Sequence, residues 1–255
     1  MGIFSRFRRD NRAAPLRSRK VPPGTLIYAI GDIHGCDDLF ADLLDRIDAD
    51  RKVRAYDRCV LILLGDLVDR GPDSERVVSR ALTLHANFDR VHHLIGNHEE
   101  CMLAALTGDV RALRYFIRIG GDATVRSYLR DDVLYEAATF EELADIFPRH
   151  VPEEHVDFLR RGEDWVTYGD FMFVHAGVRD DLPLDRQKVN DLRWIRDEFL
   201  ESSIDREAII VHGHTISEGV EERPNRIGID TGAYASGKLT AVGLLDDRRW
   251  FIATG

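Results

Sequence analysis

At 255 residues, 44% apolar and 31% charged, the chain fits one large globular domain or two small ones. It contains no apolar run near the roughly 18–20 residues that a membrane-spanning helix needs. Its three cysteines, Cys36, Cys59 and Cys101, form neither a disulfide framework nor a CxxC zinc motif, so a reducing cytoplasm is the expected compartment.

The net charge of −10 is unevenly spread: residues 1–24, "MGIFSRFRRDNRAAPLRSRKVPPG", carry +6 and the rest −16. An acidic body of this size argues against nucleic acid as a partner, because phosphate backbones are gripped by Lys and Arg. The head reads as a basic, disordered leader. Contact with an anionic membrane through Ile3, Phe4 and Phe7 is the lesser reading.

Regular structure is expected from Thr25. "TLIYAI" reads as a buried strand, and Leu39, Phe40, Leu43, Leu44 and Ile47 recur at helical spacing after it. "CVLILL" (59–64) reads as a strand buried on both faces, followed by a helix from about Ser74 to His85 with Pro72 and Asp73 as start signals. "RVHHLI" (90–95) is a third strand, and a helix follows "GNHEE". Alternation of this kind is the grammar of a mostly parallel sheet covered by helices, an α/β class. Residues 108–164 turn charged and helical in period and read as an insertion beside the core. Beyond Trp165 six strand-like stretches follow.

Five places share one design, in which a strand ends and ligand-type residues stand beside a glycine. They are "GDIHG" (31–35), "GDLVDRG" (65–71), "GNHE" (96–99), "HAG" (175–177) and "HGHT" (212–215). Asp32 and His34 alternate onto one side of an extended segment, which aims two donors at one point. Sites in open α/β sheets form outside the carboxyl ends of the strands, so neighbouring strands would bring the five clusters together.

With these motifs the chain resembles the calcineurin-like metallophosphoesterases, and among them the phosphoprotein phosphatase branch with its bacterial and phage members. The resemblance implies a β-sandwich flanked by helices, with a two-metal site at the strand ends. It implies that Asp32, His34 and Asp66 hold one divalent cation. Asp66 would bridge to a second, completed by Asn97, His175 and His214. Oxygen and imidazole donors suit Mn, the expected metal, and also Fe, Zn or Ni. Two such cations can share a hydroxide, which then serves as an in-line nucleophile. Arg70 and Arg196 would bind phosphate, with Arg193 a rival to Arg196. His98 would be the general acid, oriented by Asp69. The final motif, Gly213-His214-Thr215-Ile216, lacks the second histidine of many phosphodiesterase members.

The other histidines carry simpler expectations. His92, His93 and His212 read as packing groups, and His85, His150 and His155 as surface or helix-end residues. Tyr234 is either a plain turn residue or a border of the phosphate site. An acid at Asp69 and "GNHE" in place of "GNHD" follow the protein-phosphatase pattern. The expected function is therefore hydrolysis of phosphoserine and phosphothreonine, with a phosphoprotein or small phosphoester as substrate. A symmetrical diadenosine-tetraphosphate hydrolase is the nearest alternative, and a non-catalytic binding relative a more distant one.

Overall fold

A computed structural model describes residues 19–255. Strands β1 (Thr25–Ile30), β2 (Arg58–Leu63) and β3 (Arg90–His93) run parallel, with Ile27 opposite Val60 and Leu61 opposite Val91. Helix α1 (Asp37–Arg51) connects the first pair and α2 (Ser74–Thr83) the second; α3 (Asn97–Ala105) follows β3. The chain then builds five further helices: α4 (Val110–Phe116), α5 (Asp122–Leu129), α6 (Asp132–Ala137), α7 (Phe140–His150) and α8 (Glu153–Arg160). A π-turn over Ile117–Gly121 links α4 to α5, with Gly120 at φ 116°.

The second sheet begins with the antiparallel pair β4 (Trp165–Tyr168) and β5 (Phe171–Val174). Two short helices, α9 (Val189–Trp194) and α10 (Asp197–Leu200), precede β6 (Ile209–His212), which is parallel to β5. It continues through β7 (Glu221–Glu222) and β8 (Arg226–Gly228). After the short helix α11 (Ala233–Ser236), β9 (Thr240–Leu245) and β10 (Arg248–Ala253) return to the first sheet. The sheet orders are β10-β9-β1-β2-β3 and β4-β5-β6-β8-β7.

Alternation along the strands explains why these sheets stack. Ile27 and Ala29 of β1 and Val60 and Ile62 of β2 meet Phe171, Phe173 and Val211 from the other sheet in one buried cluster. The residues between them face outward: Leu26, Tyr28, Leu61 and Leu63 lie against α1 and α2, and Met172, Val174 and Ile210 against Leu192 and Phe199 of α9 and α10. Each sheet is therefore covered on both faces, as continuously apolar strands require. Each fully buried Leu, Ile or Phe stabilises by about 1.5–3 kcal/mol relative to exposure. The result is four layers, helix–sheet–sheet–helix, which is the expected sandwich.

Three local expectations are corrected. The third strand stops at His93: the Leu94 N–H still bonds to Leu63 O of β2 (2.8 Å), but Leu94 itself forms an isolated bridge to Glu163, the residue two before β4. His155 is 2% exposed rather than on the surface, because α8 turns its ring inward to the Tyr128 hydroxyl (2.9 Å) and Ser79 (3.2 Å). Most of the leader lies outside the described residues, but its last stretch is docked and not disordered. Val21 is buried, its N–H bonds to the Asp246 carbonyl (3.0 Å), and Arg19 reaches Asp205 (2.9 Å). Among the described residues no helix is long and apolar enough to cross a membrane.

Candidate active site

The parallel strands β1, β2 and β3, and β5 and β6 opposite, place the five motif loops along one edge of the sandwich. The loops are sharply bent. Of the seven non-glycine residues with positive φ among the described residues, five are His34, Asp66, Asp69, Arg70 and His214. L-residues hold such a conformation, at a cost of about 1–3 kcal/mol each, only where the surroundings over-determine it. Much of that determination comes from Glu99. Its Oε2 accepts the N–H groups of Asp66 and Gly96 (2.8 Å each), and its Oε1 those of Leu67 (2.7 Å) and Val68 (3.3 Å). Burial and the neighbouring Asp66 push the Glu99 carboxyl up to about 7, while the N–H donors favour its anion. Glycine lets the loops close on one another: a Cβ on Gly213 would fall 2.0 Å from Asp32 Oδ1, and one on Gly96 would fall 2.1 Å from Asp66 Oδ1.

Asp66 lies at the centre. Its Oδ2 is 3.4 Å from His175 Nε2, 3.6 Å from His34 Nε2 and 3.9 Å from His98 Nε2. Two carbonyls orient the rings: His34 Nδ1–H donates to Val68 O (2.8 Å) and His175 Nδ1–H to Leu64 O (2.9 Å). Each Nε2 lone pair is thus left facing inward, the arrangement that fixes the tautomer of a metal-binding imidazole. His175 Nε2 lies 3.1 Å from Asn97 Oδ1 and 3.2 Å from His214 Nδ1. So many lone pairs around one point are stable only with a cation or a proton among them. His34, Asp66 and His98, and likewise Asp66, His175 and His214, each offer donor atoms within 4.8 Å of one another. The donor set therefore fits divalent cations.

Electrostatics point the same way. Burial alone would lower the His175 pKa, but Asp66, aided by Asp32 and Glu99, more than reverses it and raises it to about 10. Burial opposes the Asp66 anion, yet the surrounding imidazoles, led by His175, hold its pKa well below the usual carboxylate range. Asp32 accepts from the His214 backbone N–H (3.0 and 3.1 Å); burial and Asp230 push its pKa up. This is a cluster with an excess of buried negative charge, which a cation relieves.

One side of the cluster faces outward. Arg70 donates to Nε2 of both His34 (3.0 Å) and His98 (2.9 Å) and lies over the Tyr234 ring, 4.9 Å from its centroid. Tyr234 is 40% exposed, so it borders this opening rather than filling a turn elsewhere. His98, at the start of α3, donates from Nδ1 to Asp69 (2.6 Å). Burial works against its imidazolium, but Asp66 and Asp69 outweigh burial and raise the pKa. Arg193 is committed to Asp164 (2.6 and 3.0 Å) and Glu100 (2.9 Å). Arg196 is exposed, and its charge reaches His214.

Of the remaining histidines, His212 is buried against Phe199 and Arg226, and His92 between Glu163 and Tyr168. Cys36, just past His34, is a thiol and not a thiolate, because burial pushes its pKa up to about 11. Sequence reasoning overlooked Asp230, a buried carboxylate beside Asp32 that accepts from Gly232 N–H (2.9 Å). Its signal was present: "GIDTG" follows β8 with the same acid-beside-glycine design as the other loops.

A two-sheet sandwich with carboxylates and imidazoles clustered at its strand ends defines a metal-dependent phosphoesterase. Residues 25–239 match the model of the calcineurin-like phosphoesterase family, and the chain belongs to that family. It is 35% identical over 184 residues to a protein of Acidovorax sp. (strain JS42) named symmetrical bis(5'-nucleosyl)-tetraphosphatase, covering 72% of this chain and 51% of the relative. A protein of the same name from Nitrosomonas europaea is 27% identical, with 88% of this chain and 96% of the relative covered. In its matches to the first relatives the chain thus spans about half of their length, whereas the Nitrosomonas match is nearly end to end. A solved structure described as that of a candidate diadenosine tetraphosphatase shares the fold, with a TM-score of 0.62 at 21% identity, covering 90% of this chain and 94% of the other.

These relatives overturn the expectation of a phosphoserine and phosphothreonine phosphatase, since the names they carry belong to its nucleotide alternative. The structure explains why two residues misled. Glu99 is fully buried and bonded to loop backbone, and Asp69 is closed off behind His98. Neither side chain meets the opening where a substrate would lie, so neither reads its identity.

Proposed function

We propose that this chain hydrolyses a dinucleoside polyphosphate at the cluster around Asp66, cutting the phosphate chain symmetrically. The observation that carries the reading is the named activity of the relatives, one of which matches 88% of this chain. Asp32, His34 and Asp66 would hold one divalent cation, and Asp66, Asn97, His175 and His214 the other, manganese being the first to test. When bound, the cations supply Lewis-acid charge and a water-derived nucleophile at neutral pH.

The protein's own groups do the rest. Arg70 offers a guanidinium fork to non-bridging phosphate oxygens, which a point charge such as Lys would not match. Arg196, exposed near His214, takes a neighbouring phosphate. With Arg70 turned from His98 Nε2 to the phosphate, that nitrogen is free to carry a proton, and the imidazolium, held at Nδ1–H by Asp69, gives it to the departing oxygen. In a symmetrical cut of a tetraphosphate that departing group is a nucleoside diphosphate.

The test is a manganese-supplemented comparison of diadenosine tetraphosphate, a phosphoserine peptide and p-nitrophenyl phosphate, with nucleotides separated chromatographically. ADP as the sole product, with the highest kcat/KM on the dinucleotide, is expected. Equal yields of ATP and AMP would show an asymmetrical cut, and preference for the peptide would overturn the substrate class.

A further inference from the structure

The helices after α3 do more than border the opening, because two of their residues grip the turn that carries Asp69 and Arg70. That turn is left-handed at both residues, with φ 75° and 66°. Gly120, in the π-turn between α4 and α5, accepts the Arg70 N–H through its carbonyl (2.9 Å). A Cβ on Gly120 would fall 2.7 Å from Arg70 Cγ, so only glycine lets the arginine side chain pass. One helical turn on, Thr124 Oγ1 donates to Asp69 Oδ1 (2.7 Å) and accepts the Asp69 N–H (2.8 Å). Ser74, at the start of α2, completes the network: its Oγ also accepts the Asp69 N–H (3.0 Å) and lies 2.8 Å from Thr124 Oγ1.

The protons in this network have one self-consistent arrangement. Thr124 has a single hydroxyl proton, which goes to Asp69 Oδ1, the acceptor-only partner. Its lone pairs then receive the Asp69 N–H and the Ser74 O–H, and the Ser74 oxygen shares the Asp69 N–H. Asp69, Ser74 and Thr124 are all fully buried, so no water substitutes for a lost partner without repacking. Of the Asp69 oxygens, Oδ1 is held by Thr124 and Oδ2 by His98 Nδ1 (2.6 Å). The rotamer of the carboxylate, and with it the tilt of the imidazole, is set from the Thr124 side.

We infer that Thr124 and Gly120 are positioning residues: Thr124 holds the Asp69 carboxylate against His98, and Gly120 holds Arg70 in the opening. This inference rests on the reading that His98 and Arg70 act on a phosphoester. Removing the hydroxyl leaves Asp69 Oδ1 without its donor and the Asp69 N–H with Ser74 Oγ alone, and frees the carboxylate to turn, which disturbs proton donation more than binding. Adding a methyl group at Gly120 displaces Arg70, which disturbs phosphate binding more than proton donation.

The experiment uses the full chain with manganese and compares Thr124→Val, Thr124→Ser and Gly120→Ala. Activity is read on diadenosine tetraphosphate and on two monoesters with good and poor leaving groups, p-nitrophenyl phosphate and an alkyl phosphate. Thr124→Val should lower kcat by about 10- to 100-fold on the alkyl ester, and several-fold less on p-nitrophenyl phosphate. KM should stay within about twofold and bound metal should be unchanged. Thr124→Ser, which keeps the hydroxyl, should recover most of the loss. Gly120→Ala should instead raise KM at least about fivefold with kcat little changed. Equal losses on both monoesters, or failure of serine to rescue, would overturn the role of Thr124; unchanged KM would overturn that of Gly120. Should the valine variant not fold, the serine and alanine variants decide: a large loss in Thr124→Ser, or normal KM in Gly120→Ala, refutes the inference. If the wild type ignores the dinucleotide, the monoester series still reads the positioning, so the two readings fail separately.

Discussion

The Asp69 carboxylate lies 2.6 Å from Nδ1 of His98, with both side chains closed off from solvent. The pair keeps a proton on one ring nitrogen and leaves the other directed at Arg70 and the opening. A buried carboxylate behind an imidazole stabilises its charged form, which suits a group that must donate a proton to a leaving oxygen.

His98→Asn tests that role through the leaving group. A nucleoside diphosphate leaves more readily than an alkoxide, so the variant should lose about 10²-fold in kcat on diadenosine tetraphosphate. On an alkyl phosphate the loss should approach 10⁴-fold. Asp69→Asn should repeat the pattern more weakly, with metal content intact. Loss of metal in His98→Asn would instead make the residue a ligand.

Metal removal should abolish activity, and manganese should restore it. Among single substitutions in the cluster, Asp66→Asn should do the most damage, because its carboxylate faces His34, His98 and His175 at once. Metal affinity should fall beyond the roughly 10- to 100-fold seen when a merely supporting group is removed. Titration with Mn²⁺ followed by activity reads this directly; near-normal activity at limiting metal would refute a shared carboxylate.

Glu99→Gln should destabilise the fold by about 2–4 kcal/mol, because an amide nitrogen then faces two backbone N–H donors in a buried site. The donors lost are either those of Asp66 and Gly96 or those of Leu67 and Val68. Urea denaturation measures the loss, and the substrate preference of the surviving enzyme should not change. A shift in preference between nucleotide and phosphopeptide would contradict the purely structural role of Glu99.

His93 supplies a pH dependence separate from the cluster. Its ring stacks on Phe158 at 4.0 Å, its Nε2 has no partner among the described residues, and burial lowers its pKa to about 4. A histidine that is neutral in the fold but protonates near 6.5 when unfolded stabilises fully above pH 6.5, and that stability falls as pH drops towards 4. From pH 7.5 to 5 the loss should be about 2 kcal/mol. His34, His155, His212 and His214 are likewise held below the usual imidazole range by burial, so the His93 share is read as a difference: in chelator-treated protein, His93→Asn should flatten the pH dependence of stability by about 2 kcal/mol between pH 7.5 and 5 relative to the unsubstituted chain.

Val21→Ala should lower stability by about 1–3 kcal/mol while leaving turnover per folded molecule unchanged. The side chain is buried in the cluster between the two sheets and belongs to none of the motif loops. Calorimetry against activity separates the two effects; unchanged stability would show that the docking of residues 19–24 is superficial.

Much of this protein could be read before it was folded. Continuous apolar strands ending in acid, imidazole and glycine are local patterns, and "GDIHG", "GDLVDRG" and "GNHE" needed only chain order to be read as one site. The strand–helix alternation of the first hundred residues is equally local, since periods of 2 and 3.6 are properties of neighbours in sequence. What remained hidden depends on contacts between distant residues. His155 reads as a surface group until α8 packs it on Tyr128, and Thr124 is an ordinary helical threonine until α5 meets the Asp69 turn. Arg193 and Arg196 are indistinguishable in "DLRWIRDEF", and only Asp164 and Glu100, both far away in sequence, show which one is committed to the body. Glu99 is the sharpest case: its residue type suggested a substrate, whereas its burial makes it a clamp on Asp66, 33 residues upstream. A side chain's chemistry is encoded locally, but what that chemistry touches is decided by packing.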